Sequence, residues 1–188
     1  MLLNVCPVSN DVILSEVQTA PDVMLSFVVA NGLEGVIAKR NDSIYEPGRR
    51  SGAWRKMRIN LGQEFVVGGY LPSKLGVDSL VIGFYENDEL RYAGRVRAGL
   101  IPATRRRIAK ELEHLVTEIC PFCNLPDRSR GAWGEGITDD VMKKIIWLKP
   151  KAVAHIEFLE WTSASRLRHT KFLAMCYDKD PRMVVRET

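Results

Sequence analysis

Apolar and polar positions along this chain fall into two patterns. Val12-Ile13-Leu14-Ser15-Glu16-Val17 is short and rich in β-branched residues, which predicts a strand. Pro21-Asp22 opens a mostly apolar stretch through Ala30 that reads as a helix. Asn31-Gly32, residues that tolerate left-handed backbone, closes it. Gly35–Lys39 predicts a strand, and Asn41–Gly52 a turn-rich loop holding Pro47-Gly48 and Ser51-Gly52. Trp54–Ile59 alternates with period two and predicts another strand. Asn60-Leu61-Gly62 reads as a hinge between two bodies.

Beyond the hinge the spacing changes. Glu64–Tyr70, Ser79–Tyr85 and Leu90–Val96 are three short strand patterns, the last two joined by the polar loop Glu86-Asn87-Asp88-Glu89. Thr104–Cys120 reads as an amphipathic helix, with Ile108, Leu112, Leu115 and Ile119 spaced along one face between Pro102 and Pro121. Residues 121–150 read as irregular apart from a short helix near Asp139–Ile146. Val153–Trp161 and Lys171–Met175 supply two final strands. Three strands, a helix and two strands suit a five-stranded, partly open barrel of the oligonucleotide-binding type. The expected fold is therefore α+β and mainly β, with residues 1–60 part of one body and 61–188 a barrel with one main helix. There is no internal repeat and no low-complexity tract.

The chain has 188 residues, 46% of them hydrophobic and 27% charged, which argues against disorder. No apolar run approaches the roughly 18–20 residues that cross a bilayer, and Met1–Pro7 carries no signal-peptide pattern. Four cysteines, Cys6, Cys120, Cys123 and Cys176, are too scattered for a disulfide framework. These features point to a reducing compartment without a membrane. The net charge of +4 is mild, but its distribution is uneven. Between Lys39 and Arg58 seven basic residues face two acidic ones, a local +5. Such a block suits phosphate oxygens, and it equally suits a solvated loop.

Three strings carry candidate chemistry. Glu34-Gly35-Val36-Ile37-Ala38-Lys39 joins a carboxylate, which suits a hard cation such as Mg²⁺, to a lysine that can meet a phosphate. Positions five apart face opposite sides of a regular strand, so Glu34 and Lys39 share a pocket only through a twist or bend. In Trp54-Arg55-Lys56-Met57-Arg58 alternation puts Lys56 and Arg58 on the Trp54 face, fit for a phosphate or for a protective basic edge. The tail from Leu167 to Glu187 mixes cations with aromatics, as nucleic-acid backbones require. Cys120-Pro121-Phe122-Cys123 lacks the second pair that a zinc site needs, and His169 reads as a rim residue. Tyr70, Phe84, Tyr85 and Phe158 read as barrel core or rim.

Together these strings resemble the ATP-dependent DNA ligases, specifically the bacterial branch associated with non-homologous end joining. Glu34–Lys39 is similar to the family's fourth nucleotidyltransferase motif, Trp54–Arg58 to the fifth, and Asp178-Lys179 with its flanks to the sixth. Gly48-Arg49-Arg50-Ser51-Gly52, Glu64–Tyr70 and Arg91–Val96 add to the likeness, which runs from about Val12 to Glu187. The resemblance implies the C-terminal part of a nucleotidyltransferase (adenylation) domain followed by a complete barrel, with ATP and Mg²⁺ as cofactors and nicked or broken DNA as partner. It implies that Glu34 binds the divalent ion, Ile37 packs on adenine and Lys39 lies by the nucleotide. Lys56 and Arg58 would meet the α-phosphate, and Asp178 and Lys179 would close over the nucleotide. Arg49, Arg50, Arg168 and Lys171 would contact DNA. It further implies end-joining partner proteins and a cytoplasmic, nucleoid-associated location.

The chain departs from the family at several points. The family's nucleophile is a lysine in Lys-x-Asp-Gly that forms a covalent lysyl-AMP, and no lysine here is followed by x-Asp-Gly. The aromatic that stacks on the other face of adenine lies upstream of the matched region. Arg58 replaces the usual second lysine, and Cys176 stands where the sixth motif has an arginine. The expectation is a truncated, split or decayed ligase whose 188 residues do not adenylate themselves. The alternative is a barrel that only binds nucleic acid. A sister enzyme, an RNA ligase or capping enzyme, fits the Gly68-Gly69-Tyr70 strand less well.

Overall fold

The computed structural model describes residues 19–126, 130–131 and 134–187. The strand expected at Val12–Val17 lies outside the described residues. The chain divides into two compact units, Met1–Ile59 and Asn60–Thr188.

In the first unit, α1 spans Pro21–Ala30, with Pro21 at its start and an Asn31-Gly32 end in which Asn31 donates backbone and side-chain N–H bonds to Phe27 O. Gly32 takes φ +60°, the left-handed turn that glycine adopts without a Cβ penalty. β1 (Gly35–Lys39) and β2 (Trp54–Arg58) form an antiparallel pair in the register Gly35↔Arg58, Ile37↔Lys56, Lys39↔Trp54. Val28 is buried, whereas Phe27, Ile37, Met57 and Trp54 remain about half exposed.

The second unit is a curled antiparallel sheet. β3 (Leu61–Ser73), β4 (Gly76–Glu86) and β5 (Glu89–Val96) form a meander. α2 (Pro102–Leu112) follows, then a 3-10 turn (Glu113–Leu115) and the short β6 (Val116–Thr117). After the small pair β7 (Arg130–Gly131) and β8 (Gly134–Glu135) come α3 (Asp139–Met142), β9 (Ile146–Phe158), β10 (Glu160–Trp161), β11 (Leu167–Arg168) and β12 (Lys171–Cys176). The sheet order is β12-β9-β3-β4-β5, and a parallel bridge between Ala98 and Lys171 brings its two edges together. Five strands joined in this order, with the helix between the third and fourth, make the oligonucleotide-binding barrel.

Three expectations need correction. The helix expected over Thr104–Cys120 ends at Leu112, because Val116 and Thr117 pair with Leu148 and Trp147 of β9. Ile108, Leu112 and Leu115 are buried as spaced, but Ile119 is 76% exposed. The short helix near 139–146 ends at Met142. The fourth barrel strand begins at Ile146, so residues 146–150 are not irregular. Pro150 falls where the ladder shifts register between Val67↔Ala152 and Gly69↔Trp147, a place that tolerates a missing N–H.

The core explains the glycines of β3 and β4. A Cβ at Gly68 would lie 2.4 Å from Phe122 Cζ, and one at Gly83 2.7 Å from Phe122 Cε1. The Cys120–Cys123 string thus delivers a buried aromatic, Phe122, into a seat that only glycine leaves open. Tyr70, Phe84, Tyr85 and Phe158 are all core residues. Arg105 ties α2 to the sheet by donating to the carbonyls of Leu100, Val77 and Asp78 at 2.7–2.8 Å.

Candidate functional site

The β1–β2 pair arranges its residues by alternation. Gly35, Ile37 and Lys39 stand opposite Arg58, Lys56 and Trp54, so all six share one face. Glu34 precedes the strand and would point away from this face in a regular ladder. Gly35 bends the chain at φ +153°, and a Cβ there would lie 2.1 Å from Met57 O, so the bend requires glycine. The Glu34 carboxylate consequently reaches Lys56 Nζ at 2.8 Å and Arg58 Nε at 3.2 Å. Lys39 Nζ sits 4.4 Å from the centre of the Trp54 ring. Half exposed, the Glu34 ion pairs add little to stability. They do hold two cations converged on one oxygen, the geometry that a phosphate oxygen would exploit.

The loop before β2 adds a feature that the sequence did not reveal. Tyr45 packs against Trp54 with ring centres 5.5 Å apart, and these rings border a cavity of about 360 Å³ lined also by Glu46, Arg49 and Arg50. The turn-rich loop was legible in the sequence, but the packing of Tyr45 on Trp54 was not.

The donor set can be tested against the implied cofactors. Lys56, Arg58 and Lys39 fit the oxygens of a nucleotide phosphate. For Mg²⁺ this face offers one carboxylate, Glu34, and the described residues contain no cluster of three or more ligating side chains. Mg²⁺ keeps several waters and is held by one or two carboxylates plus phosphates, so these residues fit a metal delivered with the nucleotide.

The remaining candidates lie in the barrel unit. Lys179 Nζ is 3.5 Å from Glu64 Oε2, and Asp178 is exposed beside it. Arg168 pairs with Glu160 across the β10–β11 ladder, and Lys171 Nζ lies 4.0 Å from Glu157. Cys176 pairs with Val153 of β9. Burial pushes its thiol above the usual range, and the carboxylates of Glu64 and Asp178 add to the effect. Cys120 and Cys123 are likewise raised, chiefly by burial, which does not favour a reactive thiolate pair. No helix among the described residues is long and apolar enough to cross a membrane.

Comparison with known proteins gives this geometry a context. Residues 4–58 match the model of the ATP dependent DNA ligase domain, and residues 73–179 that of the ATP dependent DNA ligase C terminal region. The multifunctional non-homologous end joining DNA repair protein LigD of Mycobacterium tuberculosis strain H37Rv is 38% identical over 84% of this chain, which covers 20% of that protein. The crystal structure of the ligase domain from M. tuberculosis LigD superposes with a TM-score of 0.60 at 36% identity, covering 86% of this chain and 50% of that one. A mycobacterial DNA ligase D complexed with ATP and MES gives a TM-score of 0.57 at 36% identity, with the same coverage. The chain therefore spans about a fifth of the full-length relative and half of the solved ligase domains. With both family models matched in order and the barrel built as described, this chain belongs to the ATP-dependent DNA ligase family.

Proposed function

We propose that these residues serve an ATP-dependent DNA ligase that seals nicks or ends in DNA by adenylate transfer. In this reading the Lys-x-Asp-Gly lysine, absent from these 188 residues, is supplied by another segment. The observation that carries the reading is the convergence of Lys56 and Arg58 on Glu34, beside Ile37 and Lys39 on one face. Transfer of a nucleotidyl group asks little covalent chemistry of such residues. It asks that phosphate oxygens be held and their charge neutralised. Lys56 and Arg58 bind the α-phosphate, Ile37 offers an apolar surface to adenine, and Lys39 adds charge at the far end of the strand. Glu34 keeps the two cations aligned and would hold Mg²⁺ through a carboxylate oxygen, where the ion would supply Lewis-acid neutralisation. Asp178 and Lys179 contribute nucleotide-phosphate contacts of the barrel, and Arg49, Arg50, Arg168 and Lys171 hold the DNA backbone. Participation of end-joining partner proteins belongs to the same reading.

Cys176 favours a second reading, in which the barrel binds nucleic acid without catalysis, because a thiol cannot clamp phosphate as arginine does. Incubation with ATP labelled at the α-phosphate and Mg²⁺ should leave no covalent AMP on the 188-residue chain. Titration calorimetry should show Mg·ATP binding that the double substitution Lys56→Met, Arg58→Met abolishes. Covalent labelling of this chain overturns the assignment of the nucleophile elsewhere. Nucleotide binding indifferent to both substitutions overturns the phosphate role, and failure of the native chain to bind Mg·ATP, with retained affinity for nicked duplex, favours the second reading.

A further inference from the structure

Immediately after β12 the chain runs through Tyr177-Asp178-Lys179-Asp180 into a 3-10 turn, Pro181–Met183. Two successive residues of β3 grip this stretch from opposite faces of the strand. Gln63 points inward and is 3% exposed; its Nε2 donates to Val185 O at 2.9 Å, and its Oε1 accepts the Glu187 N–H at 3.2 Å. Tyr85 N–H donates to Val184 O at 2.7 Å, and Val184 is itself buried. The backbone beyond Lys179 is therefore fixed to the barrel. Glu64 points outward, with Oε2 3.5 Å from Lys179 Nζ and Oε1 3.6 Å from Nδ1 of His155, its cross-strand partner on β9.

We propose that Glu64 is the positioning residue of Lys179, docking its ammonium on the barrel surface and giving it up when polyphosphate oxygens compete. This rests on the reading of Lys179 as a phosphate contact. A single carboxylate at 3.5 Å, itself part-exposed, makes a weak pair, and a polyphosphate carries several negative charges against its one. Loss of Lys179 does not strand the carboxylate in the core, because the Glu64 side chain is part-exposed to water. The arrangement explains why a part-buried glutamate occupies a strand whose neighbours are core residues.

Limited acetylation of the full 188-residue chain, with each lysine quantified by mass spectrometry, tests the docking. Without nucleotide, Glu64→Gln should raise labelling of Lys179 about threefold and leave the exposed Lys151 unchanged. Glu64→Asp, one methylene shorter, should fall between. Thermal melting checks that both variants are folded, and if the glutamine variant is not, the aspartate variant carries the test. Unchanged Lys179 labelling in a folded variant overturns the docking. Inorganic tripolyphosphate should protect Lys179, and at lower concentration in Glu64→Gln than in the native chain. Equal protection in both overturns the competition. No protection in either, with the labelling difference intact, overturns the release and the phosphate role of Lys179 together, while docking at Glu64 stands.

Discussion

At the scale of single residues, the barrel depends on an exchange between glycine and phenylalanine. Gly68 and Gly83 leave a space on the sheet that the Phe122 ring fills, and the ring also packs edge-on against Tyr92 and Trp147 with centroids 5.9 and 6.2 Å away. The two glycines have no side chains with which to fill the space left by a smaller residue. Phe122→Ala should therefore destabilise the protein by about 3–5 kcal/mol, measured as a shift in urea midpoint at unchanged slope. A loss below about 1 kcal/mol would mean that the seat collapses, contrary to the packing described. Gly35 shows the other use of glycine: its positive φ swings Glu34 onto the face of Lys56 and Arg58. That resolves the five-residue offset between Glu34 and Lys39, which regular alternation would have placed on opposite sides.

At the scale of elements, α2 and β9 show how tertiary pairing overrides local pattern. The apolar spacing of Ile108, Leu112 and Leu115 continues to Ile119 in the sequence, yet the helix stops because Val116-Thr117 gains a ladder partner on β9. The sheet also encloses titratable groups in their neutral forms. Burial pushes up the Tyr70 phenol, helped by the nearby Glu113 carboxylate, and pushes up the Cys120 and Cys176 thiols. Since the two thiols ionise at higher pH when folded than when unfolded, their contribution is complete below the ordinary thiol range. It is lost as pH rises through that range toward the raised folded-state values. The urea midpoint should fall between about pH 7.5 and pH 10. A flat profile over that window would remove burial as the cause.

At the scale of the molecule, the two units differ in how fully they enclose apolar surface. The barrel unit carries a continuous core of buried residues from Phe65 to Val184, whereas in the first unit Val28 is the buried hydrophobic residue among those described. Val23, Phe27, Val29 and Leu33 remain 49–65% exposed. A helix and a two-stranded ladder cannot cover both faces of such a ladder. Residues 60–188 produced alone should thus melt cooperatively, with the same midpoint as the barrel transition of the whole chain, read by near-ultraviolet circular dichroism. A non-cooperative melt would show that the barrel needs residues 1–59 to fold.

The sequence by itself determined what short-range rules control. Short apolar runs between turn residues located the barrel strands, Asn31-Gly32 ended the first helix, and the order of strands around one helix declared the barrel. Alternation also placed Lys56 and Arg58 on a common face. What only the tertiary structure decided were contacts between residues far apart in the chain, which no local period encodes. These include the bend at Gly35 made necessary by the close approach of Met57, the capture of Val116-Thr117 by β9 and the seating of Phe122 over two glycines. The choice of Glu64 as neighbour to Lys179 belongs with them, because the carboxylate and the ammonium meet only once β3, β9 and β12 lie side by side.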